Sequence, residues 1–417
     1  MPKKRVLSLF SGCGGMDLGF EGNFTVFKPC INTDINSDWI LNDFFNNKYL
    51  LKKTNYEIIF ANDINKYAKV AWNENFSKYK YNDDIFIHDS IVNLVNNYQT
   101  KLYKFPEHVD VLTGGFPCQD FSLAGKRLGF NSHKNHNGIS DSNCVFEENR
   151  GNLYLWMKKT IEITKPKIFI AENVKGLISI KNAIKIIVND FSLASNNDYL
   201  IITPKILSAS DYGIPQTRER LIFIGFLKKA LRKNAYKNLS QEQISLEYDP
   251  YPIKTHYTKK RDNLLTNSIL LPKAINCGIV LADLPEPEQS DDLSQRHYSK
   301  AKFLNNNSQG QIEVKLDQLA PTIRSEHHGN IEFRRLSSIN GGLNEDELRR
   351  GLPQRRLTVR ECARIQTFPD EFNFVINSQN NNLSPSESYK LIGNAVPPLL
   401  AYHIAMRLEH NWDLYFR

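Results

Sequence analysis

Apolar residues in the first half of the chain fall in short runs that predict buried strands. Val6–Phe10, Ile58–Ala61, Val109–Thr113, Ile168–Ala171, Tyr199–Ile206 and Leu221–Phe226 are rich in Ile, Val, Leu and Phe and end at turn residues. Between them, Asn65–Asn73 and Leu153–Thr164 are long enough for crossover helices. Such alternation predicts an α/β fold, a largely parallel sheet with helices on both faces. After Phe226 the pattern changes. Residues 227–260 are rich in Lys, Asn and Tyr, and residues 285–345 are polar with no sustained period. Helical spacing returns over Arg356–Gln366 and Tyr389–Arg407, while Asn305–Asn307 and Asn380–Asn382 mark loops. A two-part organisation follows: residues 1–235, completed by 385–417, around the sheet, and a less regular region at 236–384.

The 417 residues carry a net charge of +8, which is compatible with a polyanionic partner. No apolar stretch reaches membrane-spanning length, so no membrane association is expected. Met1-Pro2-Lys3-Lys4-Arg5 runs straight into the first strand, unlike a signal peptide, and the six cysteines form no C-x-x-C pair. A cytoplasmic protein with free thiols is the expectation.

Two turns carry candidate chemistry. Gly114-Gly115-Phe116-Pro117-Cys118 follows an apolar strand, so a constrained backbone leaves Cys118 at a strand end, where α/β enzymes keep their reactive groups. That makes Cys118 a candidate nucleophile. The first strand runs into Ser11-Gly12-Cys13-Gly14-Gly15, where glycine lets the backbone approach a ligand, and the next ends at Asp63, placed to bind ribose hydroxyls. With no G-x-x-x-x-G-K-[ST], the expected cofactor contains adenosine but is not a nucleoside triphosphate.

In order along nearly the whole chain, these segments resemble the DNA (cytosine-5) methyltransferase family, in its compact prokaryotic restriction-modification form. The resemblance implies a Rossmann-like S-adenosylmethionine-dependent methyltransferase domain and a smaller, irregular target-recognition domain. Phe10, Ser11, Gly12, Cys13, Gly14 and Gly15 look like its cofactor loop; Asp63 and Ile64 match its ribose acid and neighbour, with Ile64 where relatives often carry an aromatic. Asp89 and Ser90 match the adenine block, and Pro117, Asn394 and Val396 complete the implied cofactor contacts. Glu172, in Glu172-Asn173-Val174, matches the catalytic acid that protonates ring nitrogen N3. From Gln216-Thr217-Arg218-Glu219-Arg220, Arg218 is the expected ligand of the base carbonyl; Arg220 is expected near DNA or paired with a carboxylate. Arg360-Glu361-Cys362-Ala363-Arg364 and Gly393–Pro398 match the two C-terminal blocks.

The implied partner is double-stranded DNA with one cytosine flipped out. Gln119, Ser122, Lys126, Arg127, Thr322 and Arg324 are its expected contacts, and Arg334 and Arg335 further candidates for guanine edges or phosphates. Residues 21–55 and 131–147 read as insertions. His133, His136, Cys144 and His327-His328 match no tetrahedral spacing, so no metal is expected. A monomer acting beside a restriction endonuclease is the simplest expectation. RNA-directed relatives tend to carry Pro-Pro-Cys where this chain has Phe116-Pro117-Cys118, which argues against an RNA substrate.

Overall fold

The computed structural model describes residues 2–77, 85–117, 153–258, 270–304, 311–325, 331–378 and 382–417. Its centre is a seven-stranded sheet of β1 (Lys4–Leu9), β2 (Tyr56–Asp63), β3 (Phe86–His88), β4 (Val111–Gly115), β5 (Ile168–Val174), β6 (Tyr199–Ser208) and β7 (Glu219–Leu227). They lie in the order β3-β2-β1-β4-β5-β7-β6. The first five are parallel, and β7 runs antiparallel to both of its neighbours.

Side chains alternate across this sheet, which is why the strands read as nearly continuous apolar runs. Val6, Ile58, Val111, Ile170 and Ile224 enter one core with α1 (Gly15–Glu21), α2 (Lys66–Phe76) and the C-terminal helix Pro398–His410. Leu7, Phe60, Leu112, Phe169 and Phe223 enter a second core with α3 (Ile91–Gln99), α4 (Leu153–Thr164) and α5 (Ala183–Ser192). The order reverses between β1 and β4. In doubly wound sheets, ligands bind outside the carboxyl ends of the strands at that switch point. The glycine loop leaves β1 and the Gly-Gly-Phe-Pro turn leaves β4, so both border the same crevice.

Several elements depart from the sequence reading. The helix expected over Asn65–Asn73 runs Lys66–Phe76, because Asn65 caps it from outside by accepting from Tyr67 N at 3.0 Å. β4 starts at Val111 rather than Val109 and extends through Gly115. β3, α3 and α5 had no counterpart. Arg356–Gln366 resolves into a short strand, Arg355–Arg356, and α6 (Val359–Ile365), which opens on a capping box between Thr358 and Glu361. Tyr389–Arg407 is two helices, α7 (Pro385–Asn394) and α8 (Pro398–His410). Pro397 and Pro398 break the run, since proline lacks the amide a continuing helix needs and disfavours helical geometry before it. The insertion at 21–55 holds an antiparallel three-stranded sheet, Thr25–Phe27, Ile40–Phe44 and Lys48–Leu51, in the order first, third, second.

Candidate active site

A cleft of about 1100 Å³ opens at the switch point. The glycine loop, the ends of β2, β4 and β5, the start of β7, residues 322–325 and the turn after α7 line it. Phe10, Gly12 and Gly14 all adopt left-handed φ values (53°, 55° and 88°), which folds the loop back on itself.

Phe10, Ser11, Gly12, Gly15, Asp63, Ile64, Asp89, Ser90, Pro117, Asn394 and Val396 all stand on the cleft wall. Asp63 accepts Gly12 N at 2.9 Å and Asn65 N at 2.8 Å, which leaves its carboxylate further acceptor capacity. Ser90 caps α3 by accepting from Val92 N at 3.3 Å, and Asp89 accepts the Asn93 side-chain amide at 2.8 Å. Ile64 is 44% exposed, an aliphatic platform beside Asp63.

Two loop residues face away from the cleft. Cys13 is buried with its thiol toward the Leu391 carbonyl at 3.7 Å, and burial pushes its pKa up. Gly14 faces the hydrophobic core: a β-carbon there would lie 2.5 Å from the Phe76 ring. Neither Cys13 nor Gly14 stands on the cleft wall, and what each turns inward serves packing.

The chemical end of the cleft is built by β5 and β7. Glu172, 7% exposed, lies 2.6 Å from Arg220 Nε through its Oε1. Gly115 leaves room for this carboxylate, since a β-carbon there would approach Glu172 Oε2 at 3.0 Å. Asn173, which carries no role in the sequence analysis beyond its motif, donates from Nδ2 to the Phe116 carbonyl at 3.2 Å and ties the strand of Glu172 to the turn after β4. That turn is described through Pro117; Cys118, Gln119, Ser122, Lys126 and Arg127 lie outside the described residues, as do His133, His136, Cys144, His327 and His328.

Arg218 departs from expectation. It is fully buried, away from the cleft, and donates to the carbonyls of Ile323 at 3.0 Å, Gly393 at 2.9 Å and Ala395 at 2.7 Å. Its guanidinium fastens the segment at Ile323 and the turn after α7 to the foot of β7, and it does not line the cleft. Arg220, two residues on, lines the cleft instead. The reversal follows from position: Arg218 precedes β7 and meets these two segments, while Arg220 lies on the strand beside Val174.

Thr322 and Arg324 reach the wall, with the Thr322 hydroxyl donating to Thr217 O at 3.2 Å. Arg334 and Arg335 are buried in an ion-pair cluster and are not base or phosphate ligands in this arrangement. Arg334 Nη2 lies 2.6 Å from Glu347 Oε1, and Arg335 meets both Glu347 and Glu286, at 2.9 and 2.5 Å. Arg355 joins the same cluster through Glu286 and Glu361.

Comparison with known proteins agrees with this architecture. The profile of the C-5 cytosine-specific DNA methylases matches residues 4–410. The type II methyltransferase M.BsuRI of Bacillus subtilis is 31% identical over 99% of this chain and 80% of its own length. M.FnuDI of Fusobacterium nucleatum is 30% identical over 98% and 94%. In structure, a DNMT2 variant from Spodoptera frugiperda shares the fold with a TM-score of 0.54, 18% identity, and 97% and 99% coverage. With its cleft at the switch point and a profile match along nearly its whole length, the chain belongs to the C-5 cytosine-specific DNA methylases, S-adenosylmethionine-dependent DNA methyltransferases.

Proposed function

We propose that this chain methylates carbon 5 of one cytosine within a short double-stranded DNA sequence, with Cys118 as nucleophile, Glu172 as acid and Arg220 as the guanidinium facing the base. The observation that carries the reading is the Glu172–Arg220 pair at 2.6 Å, set in the same cleft as Gly115, Phe116 and Pro117, directly before Cys118. S-adenosylmethionine, when bound, supplies the electrophilic methyl group. The cleft fits it: Asp63 offers acceptors to a ribose diol, Ile64 and Val396 offer apolar walls to an adenine, and Asp89 and Ser90 stand at the same end.

Carbon 5 of cytosine is a weak nucleophile, which is why a thiolate is needed. The Cys118 sulfur forms a bond to carbon 6 while Glu172 delivers a proton to N3, and the electron pair moves to carbon 5. Arg220 holds the Glu172 carboxylate at the cleft wall, and its positive charge there stabilises the negative charge that develops on the base carbonyl. After transfer, loss of the carbon 5 proton to a base and return of the N3 proton to Glu172 re-form the ring double bond and expel the thiolate. The target must leave the stack for Cys118 to reach carbon 6. Thr322 and Arg324 then border the flipped nucleotide, and residues 236–384 read the flanking bases. The relatives' description as type II methyltransferases supports a companion restriction endonuclease acting on the same site; a monomer in the cytoplasm completes the reading.

Bisulfite sequencing of plasmid DNA from cells expressing the chain should reveal protected cytosines in one short context, absent with Cys118→Ala. The same protection by Cys118→Ala would remove the covalent step. No protection by the unaltered chain would remove DNA as the substrate.

A further inference from the structure

Beneath the cofactor loop lies an acid that the chemistry above does not use. Asp17 sits in the first turn of α1, where an acid usually meets solvent and the helix dipole, yet it is 1% exposed. A buried carboxylate is tolerated only when fully hydrogen-bonded. Asp17 accepts the Ser8 hydroxyl at 2.6 Å on one oxygen and the Trp72 indole N–H at 2.8 Å on the other. The Ser11 hydroxyl donates to the Ser8 hydroxyl at 2.8 Å, with the Ser8 carbonyl further off at 3.2 Å, and Ser11 accepts the Asn62 backbone N–H at 3.2 Å. Ser8 and Ser11 both stand on the cleft wall. Trp72 stacks on Phe76 with ring centroids 4.5 Å apart, and these two rings floor the loop under Gly14.

We propose that Asp17 is a positioning residue for the cofactor: through Ser8 it fixes the direction of the Ser11 hydroxyl and holds the glycine loop on its aromatic floor, without touching the ligand. This rests on the S-adenosylmethionine reading of the cleft. The physical reason is proton direction. A carboxylate has no proton to give, so Ser8 must donate to Asp17 and can only accept from Ser11. Ser11 in turn spends its proton on the nearer Ser8 hydroxyl and keeps a lone pair for the Asn62 backbone N–H. Asparagine at position 17 breaks this order with almost no change in volume. Trp72 N–H can only donate, so it takes the asparagine oxygen, and the asparagine NH₂ must face Ser8. Ser8 then turns its own proton toward Ser11, and the chain reverses.

The test is calorimetric titration of S-adenosylmethionine into the full chain, its Asp17→Asn, Ser8→Ala and Ser11→Ala variants, and the Asp17→Asn/Ser11→Ala pair. Asp17→Asn and Ser8→Ala should each weaken binding about tenfold, the net worth of one hydrogen bond. In the Ser11→Ala background, Asp17→Asn should change affinity by less than about twofold, since the chain is already cut. A merely structural Asp17 would lower the melting temperature and leave that coupling at zero. Unchanged affinity in both single variants, or full additivity with Ser11→Ala, would overturn the proposal. Should Asp17→Asn fail to fold, Ser8→Ala, which keeps the carboxylate, carries the comparison with Ser11→Ala alone. No binding by the unaltered chain would overturn the cofactor reading itself, and the inference with it.

Discussion

Two arginines two residues apart do different work here, and the difference is one of partners. Arg218 is spent on the three carbonyls of Ile323, Gly393 and Ala395. Arg220 lines the cleft beside Glu172. Substitution should therefore separate stability from catalysis. Arg218→Ala strands buried carbonyls, each costing about 1–3 kcal/mol, and should lower the unfolding free energy by roughly 3 kcal/mol or more. Arg220→Lys, which keeps a cation beside Glu172 but not the planar fork, should cut turnover by about 10²-fold while shifting stability much less. Turnover and thermal unfolding of both variants check this; a reversed pattern would return Arg218 to the chemistry.

At the scale of elements, glycines decide how closely segments approach the site. A β-carbon at Gly19 would lie 2.4 Å from Ala401 Cβ and 2.5 Å from the Pro398 carbonyl, so α1 and α8 touch through bare backbone. One at Gly393 would lie 2.1 Å from the Arg324 backbone carbon, where the turn after α7 meets residues 322–325. Neither neighbour is the far end of a flexible side chain, so neither can yield cheaply. Gly19→Ala should cost about 1–3 kcal/mol, the usual range for overpacking, and appear as a lower melting temperature. Gly393→Ala should in addition weaken DNA binding, measured by fluorescence anisotropy on a duplex carrying the methylated context, because it displaces Arg324 in the cleft wall. An unchanged affinity would show that this close approach does not hold the DNA-facing wall.

For the whole molecule, buried charge sets the response to acid. Burial tends to raise the Glu286 carboxyl, but Arg335 and Arg355 overcome this and hold it at about 2. Burial likewise opposes, and Arg364 and Lys48 dominate, at Asp370, also about 2. His403 packs against Trp39 and Tyr212, and burial lowers it to about 3 from 6.5. All three pKa values are depressed in the folded state, so each stabilises the fold above its unfolded value and loses that contribution as pH falls toward its folded one. The windows are 6.5 to about 3 for His403, 4.5 to about 2 for Glu286 and 3.8 to about 2 for Asp370. Asp17 has the opposite sign: burial raises it to about 6 from 3.8, so acidification across that interval favours the folded state. The melting temperature should thus fall gently below about pH 6.5 and steeply below about 4.5. A melting temperature constant from pH 7 to 3 would contradict this.

The sheet strands, the glycine loop, Asp63, Glu172 and the turn before Cys118 are legible in the sequence because their signals are local. Apolar runs bounded by turns and short motifs need only neighbouring residues to be recognised. The sequence by itself therefore determined the fold class, the family resemblance and the two loops that meet at the switch point. It could not tell Arg218 from Arg220, or Arg324 from Arg334 and Arg335, because each choice depends on carboxylates and carbonyls tens to hundreds of residues away. Nor could it show that Cys13 and Gly14 turn inward, or that Asp17 lies under the loop, since a side chain's burial is set by whatever packs against it. Tertiary structure decided those assignments: hydrogen bonds and ion pairs form between groups close in space, and only the folded chain brings them together.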